Sequence, residues 1–475
     1  MRTKIIATIG PASSGKAVLT SLVRAGVQIF RLNFSHGSAA DFKALIGLIR
    51  ELEQEYAVAL TILQDLPGPK FRIGEIAGGS VQVDKGQRLL LGSCPAAQSA
   101  SAPSDSLPLI PFEHQKILEN MEEGDCIALA DGALQLRVVG RRAPLLFEIE
   151  AMNSGIITSR KGLALPGKPV NLAALTEADR RNLLDGLKLG VDAVALSYVQ
   201  TPEDVREAKE LIRRHGYAIP VIAKLERRNA VDNLESILEE TDIVMVARGD
   251  LGVECPLEDL PAMQKRIIRA CNRAGKPVIV ATQMLLSMVS SPSPTRAEVT
   301  DVANAVLDGT DCVMLSEETA MGSHPVETVE YMRRIAASAE QLLWDCPRSP
   351  EMSADSTVPD FLAYSACLLA RKSGAAALVA HSTSGATARL LSAHQPSQPV
   401  FALTPHRQVL HDLNFSWGVK PCLIEEDGRT HLERVENFIE SYPPFTSGEL
   451  FVITAGQPKS GQGSVKTNLV KIYQK

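Results

Sequence analysis

The chain has 475 residues, 45% of them hydrophobic and 22% charged, which is too long for one compact core and calls for two or three domains. Lys and Arg number 49 against 55 Asp and Glu, so the net charge of −6 offers no basic footprint for a nucleic acid or an anionic membrane. The eight Cys are scattered without a CxxC pair, the start Met1-Arg2-Thr3-Lys4 lacks the apolar core of a leader peptide, and no apolar run approaches the roughly 18 residues of a membrane span; a cytoplasmic protein with reduced thiols is expected.

In chain order, eight short runs rich in Val, Ile and Ala read as strands buried on both faces: 4–10, 28–34, 59–66, 191–199, 221–226, 242–248, 277–283 and 312–317. Helical segments such as 203–215, 260–274 and 325–343 lie between them. Eight such βα units close most simply into a TIM (β/α)8 barrel, giving an α/β fold. One connection, between the third and fourth strands, is abnormally long. Its Gly78-Gly79 pair, its Ala- and Ser-rich run 96–103 and its alternating segments 81–83 and 134–139 read as a small all-β domain inserted into the barrel. A Pro- and Ser-rich stretch, 347–359, reads as a linker. Beyond it a helix (361–372), a strand (375–381), a helix (386–394) and strands at 400–404 and 449–454 make a separate C-terminal α/β domain. The domains are set at 1–70 and 166–346 for the barrel, 71–165 for the insert and 347–475 for the C-terminal unit.

Barrel chemistry gathers at the C-terminal strand ends. Here those ends carry Arg31, Asn33, Ser35 and His36; Asp65; Lys224 and Glu226; Arg248 and Asp250; Thr282; and Ser316 to Glu318. Alternation along a strand puts Arg31, Asn33 and Ser35 on one face, Lys224 and Glu226 on another and, if the ladder persists, Arg248 with Asp250. One such residue is readily a structural ion pair, but six strands ending in charge or hydroxyl are hard to explain structurally, because buried strands do not carry unpartnered charge. Glu226 and Asp250 are hard oxygen ligands suited to Mg²⁺, and Arg31, Arg72 and Lys224 suit phosphoryl oxygens. That mixture points to phosphoryl transfer. The segment from Gly10 to Lys16 has P-loop spacing, yet Ala17 stands where a Ser or Thr must reach the metal, so Ser13 or Ser14 is read instead as a helix cap.

Six motifs spread along the chain then resemble the pyruvate kinase family: Thr3 to Ser13, Arg31 to Gly37, Met245 to Glu254, Ala281 to Met284, Pro294 to Glu298 and Met314 to Ala320. The resemblance implies transfer of phosphate from phosphoenolpyruvate to ADP, giving pyruvate and ATP, with Mg²⁺ (or Mn²⁺) as cofactor and a homotetramer as the assembly. It implies that Lys224 stabilises the phosphoryl group in flight, with Arg31 on the same group. Glu226 and Asp250 would hold the metal. The amides of Gly249 and Asp250, with Thr282, would hold the substrate carboxylate, and Thr282 would relay the proton. Asn33, His36, Arg72 and Lys161 would line the nucleotide side, and the insert would close as a lid. Many members bind K⁺ through Asn, Ser and Asp, here Asn33, Ser35 and Asp65, and carry Glu where this chain has Lys70. A Lys ammonium can stand in for a monovalent cation, so K⁺ is expected to be dispensable. Gln200 and Arg227 also depart from the family's usual residues, without removing a proposed ligand.

In the C-terminal domain, Ser382, Thr383, Ser384, Gly385 and Thr387 form a turn between strand and helix suited to phosphate, and resemble the effector loop of regulated members. The loop 455–461 lacks the Trp of members activated by fructose 1,6-bisphosphate, which favours a monophosphate effector such as AMP or a sugar monophosphate. Another metal-dependent barrel handling phosphoenolpyruvate or pyruvate, and a non-catalytic effector-binding protein, are the competing readings; neither requires both the insert and Lys224 beside Glu226.

Overall fold

The structure is a computed structural model that describes residues 1–93, 107–130, 132–168, 173–345, 356–456 and 467–475. All eight expected barrel strands form: β1 (Lys4–Ile9), β2 (Ile29–Asn33), β3 (Thr61–Asp65), β12 (Ala193–Leu196), β13 (Val221–Leu225), β14 (Ile243–Ala247), β15 (Val278–Ala281) and β16 (Cys312–Leu315), with the intervening β4 to β11 in the insert. They close in the order β1-β16-β15-β14-β13-β12-β3-β2, and every neighbouring pair is parallel.

Each strand is buried on both faces because its two side-chain rows serve two cores. One row, including Ile5, Ala7, Val244 and Val246, packs against the surrounding helices. The other, including Ile6, Leu63, Ala195, Ile222 and Met245, fills the barrel interior. Phe415, from the C-terminal domain, belongs to the interior set and is fully buried.

The insert is built from β4 (Ser80–Val83), β5 (Arg88–Gly92), β6 (Leu109–Pro111), β7 (Cys126–Leu129), β8 (Leu134–Ala143), β9 (Leu146–Ala151), β10 (Gly155–Thr158) and β11 (Leu163–Ala164). The strands make a two-stranded sheet, β10-β4, and a six-stranded sheet, β11-β7-β8-β9-β5-β6, around their own apolar core. The first half of β8 alternates buried Leu134, Leu136 and Val138 with exposed Gln135 and Arg137, the pattern of a sheet with one wet face. Among its described residues the insert is β apart from the short helix Gln115–Glu119.

The C-terminal sheet runs β19-β18-β17-β20-β21, from β17 (Ala377–His381), β18 (Val400–Thr404), β19 (Val419–Leu423), β20 (Leu450–Ala455) and β21 (Leu469–Gln474). β19, β21 and the helix His431–Ser441 add to the elements expected from the sequence. This domain docks under the barrel: Lys4 donates to the Val419 carbonyl at 2.6 Å, Trp417 N–H donates to Asp311 at 2.9 Å and Thr61 donates to the His411 carbonyl at 2.8 Å. The run 96–103, the linker up to residue 355 and residues 457–461 lie outside the described residues. Among the described residues, no helix is long and apolar enough to cross a membrane, and the six cysteines are free thiols.

The helix-cap reading of Ser13 and Ser14 fails. Helix Lys16–Ala25 starts at Gly15, whereas Ser13 is buried in a turn that closes on the Gly10 carbonyl. Lys16 reaches across to Glu51 at the surface.

Candidate active site

The C-terminal rim of the barrel holds a compact charged cluster. Lys224, next to last on β13, points its ammonium at Asp65 (3.1 Å), Glu226 (2.9 Å) and the Ser197 hydroxyl (2.6 Å). Arg31 on β2 donates from Nε to the other oxygen of Asp65 at 2.6 Å and from Nη1 to Thr8 at 3.1 Å. Asp65 and Glu226 are each only 1% exposed, so these pairs are strong and leave little room for water.

The electrostatics follow from that burial. Desolvation pushes the Asp65 carboxyl up, but Lys224 and Arg31 overcome it and hold the group below the usual carboxylate range. Lys224 loses by desolvation and gains more from Asp65 and Glu226, so its ammonium is held above the normal lysine range and stays charged. Glu226 goes the other way: burial, and then the facing Asp250 carboxylate, raise it to about 7 even though Lys224 and the Tyr198 N–H oppose the shift.

Asp250 corrects one expectation. The ladder does not persist past Ala247; a helix, Arg248–Glu254, begins at once and puts Asp250 in its first turn. Asp250 still faces Glu226 electrostatically, and its carboxylate lies 3.9 Å from Lys70. β2 likewise stops at Asn33, so Ser35 falls in an exposed turn and does not share a strand face with Arg31. Asn33 itself is level with Asp65 in the β2–β3 register, and its side-chain oxygen accepts from the Ser35 N–H.

Thr282 follows β15 with φ of +69°, and Gln283 has +54°; two successive left-handed residues without glycine mark a strained turn. Its hydroxyl donates to the Ala281 carbonyl at 2.6 Å and accepts from the Gly249 N–H at 2.8 Å, which locks the turn to the start of the Arg248–Glu254 helix. Arg248, buried, holds the same turn by donating to the Thr282 carbonyl at 2.8 Å while pairing with Asp301 at 2.7 Å.

Ser197 and Thr8 were not singled out as site residues from sequence, and Arg248, placed at the rim, was given no role there. Ser197 carries no spacing signal and earns its place only by contact, donating to the Leu66 carbonyl while it accepts from Lys224. On the insert, Arg72 bridges to Gly162 and donates to the Arg160 carbonyl, with Lys161 beside it; both side chains are exposed. His36 is exposed on the barrel turn after Asn33. The residues expected on the nucleotide side thus come from two parts of the molecule.

The pair Glu226 and Asp250 fits Mg²⁺ by its chemistry: two hard carboxylates that repel each other, with no dedicated protein cage, is how this ion is held when substrate oxygens complete its shell.

Comparison with known proteins decides the family. The pattern for "Pyruvate kinase, barrel domain" matches residues 1–329, and that for "Pyruvate kinase, alpha/beta domain" matches 360–473. The chain belongs to the pyruvate kinase family. A pyruvate kinase of Agrobacterium vitis is 45% identical over 479 residues, covering 100% of this chain and 98% of its own length. Pyruvate kinase 2 of Synechocystis sp. is 43% identical over 477 residues, covering 99% and 79%. A pyruvate kinase of Clostridium perfringens is 38% identical over 483 residues, covering 99% of each. Pyruvate kinases use Mg²⁺ and K⁺ and bind phosphoenolpyruvate and ADP.

The C-terminal turn is assembled as a strand-to-helix loop. Ser382 is buried with its N–H on the Leu403 carbonyl, and Gly385, at φ of +76°, caps the helix Ala386–Ala393. Thr387 is buried and hydrogen-bonded to Thr467 at 2.7 Å, so its hydroxyl is committed inside the domain, unlike the exposed Ser384.

Proposed function

We propose that the rim cluster carries out the pyruvate kinase reaction with these residues in these roles. The observation that carries the assignment is Lys224, whose ammonium is fixed by Asp65, Ser197 and Glu226 at the end of β13. There it neutralises the phosphoryl group of phosphoenolpyruvate as it passes to ADP, with Arg31 as the second cation. Because both are held before substrate arrives, they stabilise the transferring charge without reorganising. Gly249 and Asp250 present amides, and Thr282 a hydroxyl, to the substrate carboxylate, which takes over the Gly249 N–H from the Thr282 hydroxyl. Thr282 also sits in the relay that carries a solvent proton to the enolate carbon, its hydroxyl taking up one proton for each it passes on, which requires that hydroxyl to turn from the Ala281 carbonyl.

Glu226 and Asp250 would hold Mg²⁺, which supplies electrostatic stabilisation of phosphoryl oxygens when bound. Asn33 and His36 from the barrel, with Arg72 and Lys161 from the insert, take the nucleotide, and closure of the insert as a lid keeps water from competing as acceptor. Lys70, in ion-pair range of Asp250, supplies the positive charge that K⁺ brings in members with Glu at this position, beside Asn33, Ser35 and Asp65. Activity responds to a phosphorylated metabolite through the loop 382–387, and the enzyme assembles as a cytoplasmic homotetramer.

A coupled assay for ADP-dependent pyruvate formation tests the central claim. Wild type should turn over in K⁺-free buffer with Mg²⁺, and Lys224→Met should lose about 10³-fold or more in kcat while a thermal melt shows it still folded at the assay temperature. Equal activity in the two proteins refutes the role of Lys224; strong stimulation by added K⁺ refutes that of Lys70.

A further inference from the structure

Arg227 directly follows Glu226, just past the end of β13, and is buried, only 7% exposed. Its guanidinium carbon lies 5.2 Å from the centroid of the Tyr198 ring, and its Nε lies 3.9 Å from the Glu254 carboxylate. Each of these partners bears on one carboxylate of the rim. The Tyr198 N–H donates to Glu226 Oε2 at 2.7 Å, while Lys224 holds Oε1. Glu254 is the last residue of the helix whose first turn carries Asp250.

Tyr198 delivers its N–H from a strained backbone. Its φ is +56°, a left-handed value that a non-glycine residue keeps only where its surroundings over-determine it. Three contacts do so here. Arg227 lies over the ring as a desolvated cation–π partner. The turn after β3 closes on the same ring so tightly that a Cβ on Gly68 would stand 2.9 Å from its edge. Two residues further on, Gln200 ties the turn to the segment after Arg227, its side-chain oxygen accepting from Asn229 at 2.7 Å and its carbonyl from Asn233 at 2.9 Å. Gln200 and Arg227 thus hold one turn from two sides.

Glu254 belongs to the same electrostatic environment. Burial pushes its carboxyl up to about 7, Arg227 opposes that shift and Asp250 adds to it. Lys70, Tyr198, Arg227, Asp250 and Glu254 line a single cavity of about 30 Å³, room for about two water molecules. Truncating Arg227 enlarges that space directly behind Asp250.

We infer that Arg227 is a positioning residue for the metal-binding carboxylates: through Tyr198 it fixes Glu226, and through Glu254 it fixes the helix that presents Asp250. Two carboxylates that repel each other drift apart unless something behind them sets their spacing. A metal that must first gather them then loses affinity by the cost of doing so. The inference rests on the reading that Glu226 and Asp250 hold Mg²⁺.

The test titrates Mn²⁺ into the full-length enzyme and reads the unbound ion by its electron paramagnetic resonance, beside the Mg²⁺ concentration at half-maximal activity. Wild type, Arg227→Gln, Arg227→Lys and Glu226→Gln are compared, with thermal melts to show each folded at the titration temperature. Arg227→Gln should bind Mn²⁺ about tenfold or more weakly, and the activity it loses at low Mg²⁺ should largely return at high Mg²⁺. Arg227→Lys keeps a charge facing Glu254 but not the planar stack on Tyr198, so it should bind about threefold or more weakly than wild type; it carries the test if Arg227→Gln does not fold. Glu226→Gln should lose most of the binding. If it does, while the folded Arg227 variants bind Mn²⁺ as tightly as wild type whatever their melting temperature, Arg227 serves stability alone and the inference falls with the metal reading intact. If Glu226→Gln binds Mn²⁺ as wild type does, the metal reading falls and the inference with it.

Discussion

At the rim, Asp65 divides its oxygens between Arg31 and Lys224, and Lys224 is in turn divided among Asp65, Glu226 and Ser197. At the base, Asp192 is also buried, and takes Arg50 on both oxygens, the Ile62 N–H and the His411 ring at 3.0 Å. His411 completes that network on Glu53 at 2.6 Å. The base network is closed: each carboxylate meets backbone or cation, and the partners come from the barrel and the C-terminal domain alike. The rim is left unbalanced, with Glu226 pushed up to about 7 by burial and by Asp250. Buried charge of the first kind holds elements together; buried charge of the second kind is poised for a ligand that brings its own charge.

Matched substitutions break or sharpen that contrast. Asp192→Asn should have the largest effect on folding, about 3–5 kcal/mol, because it strands Arg50 and His411 in a buried network. Its kcat at low temperature should stay near wild type; denaturant melts and assays on the same preparation read both. Asp65→Asn should do the reverse, costing about 10²–10³-fold in kcat through misplaced Lys224 and Arg31, with the smaller loss in the melt because Lys224 keeps Glu226 and Ser197. Equal stability losses in the two variants would erase the distinction.

A pH series probes the base through His411. His411 is pushed from 6.5 to about 9, the hydrogen bonds and charges of Asp192 and Glu53 outweighing its burial. A raised folded value means that its contribution is complete below pH 6.5 and is lost as pH climbs through 9. The expected loss across that window is about 3 kcal/mol, and His411→Gln should flatten it. An unchanged slope in that variant assigns the loss elsewhere. The smallest effect is expected at Lys70: Lys70→Glu should make activity K⁺-stimulated by about tenfold, worth about 1.4 kcal/mol, and an equally K⁺-insensitive variant would refute its role.

The barrel was legible because double burial forces continuous Val-, Ile- and Ala-rich runs, such as Val-Ile-Ala before Lys224 and Ile-Val-Met-Val-Ala before Arg248. β19 and β21 were not, since Val-Lys-Pro-Cys-Leu and Leu-Val-Lys-Ile-Tyr-Gln mix polar residues into strands that flank the sheet. The rim residues announced themselves by type, but not how the chain turns there. Nothing in Ala247-Arg248-Gly249 tells a continued strand from an immediate helix, and the left-handed backbone of Thr282 and Gln283 is held by Arg248 and Gly249 from the helix that follows β14. Ser197 shows the same limit, because a single hydroxyl gains its meaning only from Lys224 across the β12–β13 pair.

Phe415 has a bearing on how the molecule comes into being. The barrel's interior is completed by a side chain made after all eight strands have left the ribosome, so those strands close around a space that stays unfilled until the C-terminal domain is synthesised. Cutting the gene at the linker would separate two products of which the first lacks a piece of its own centre, and the last domain to be made is therefore the one that finishes the first.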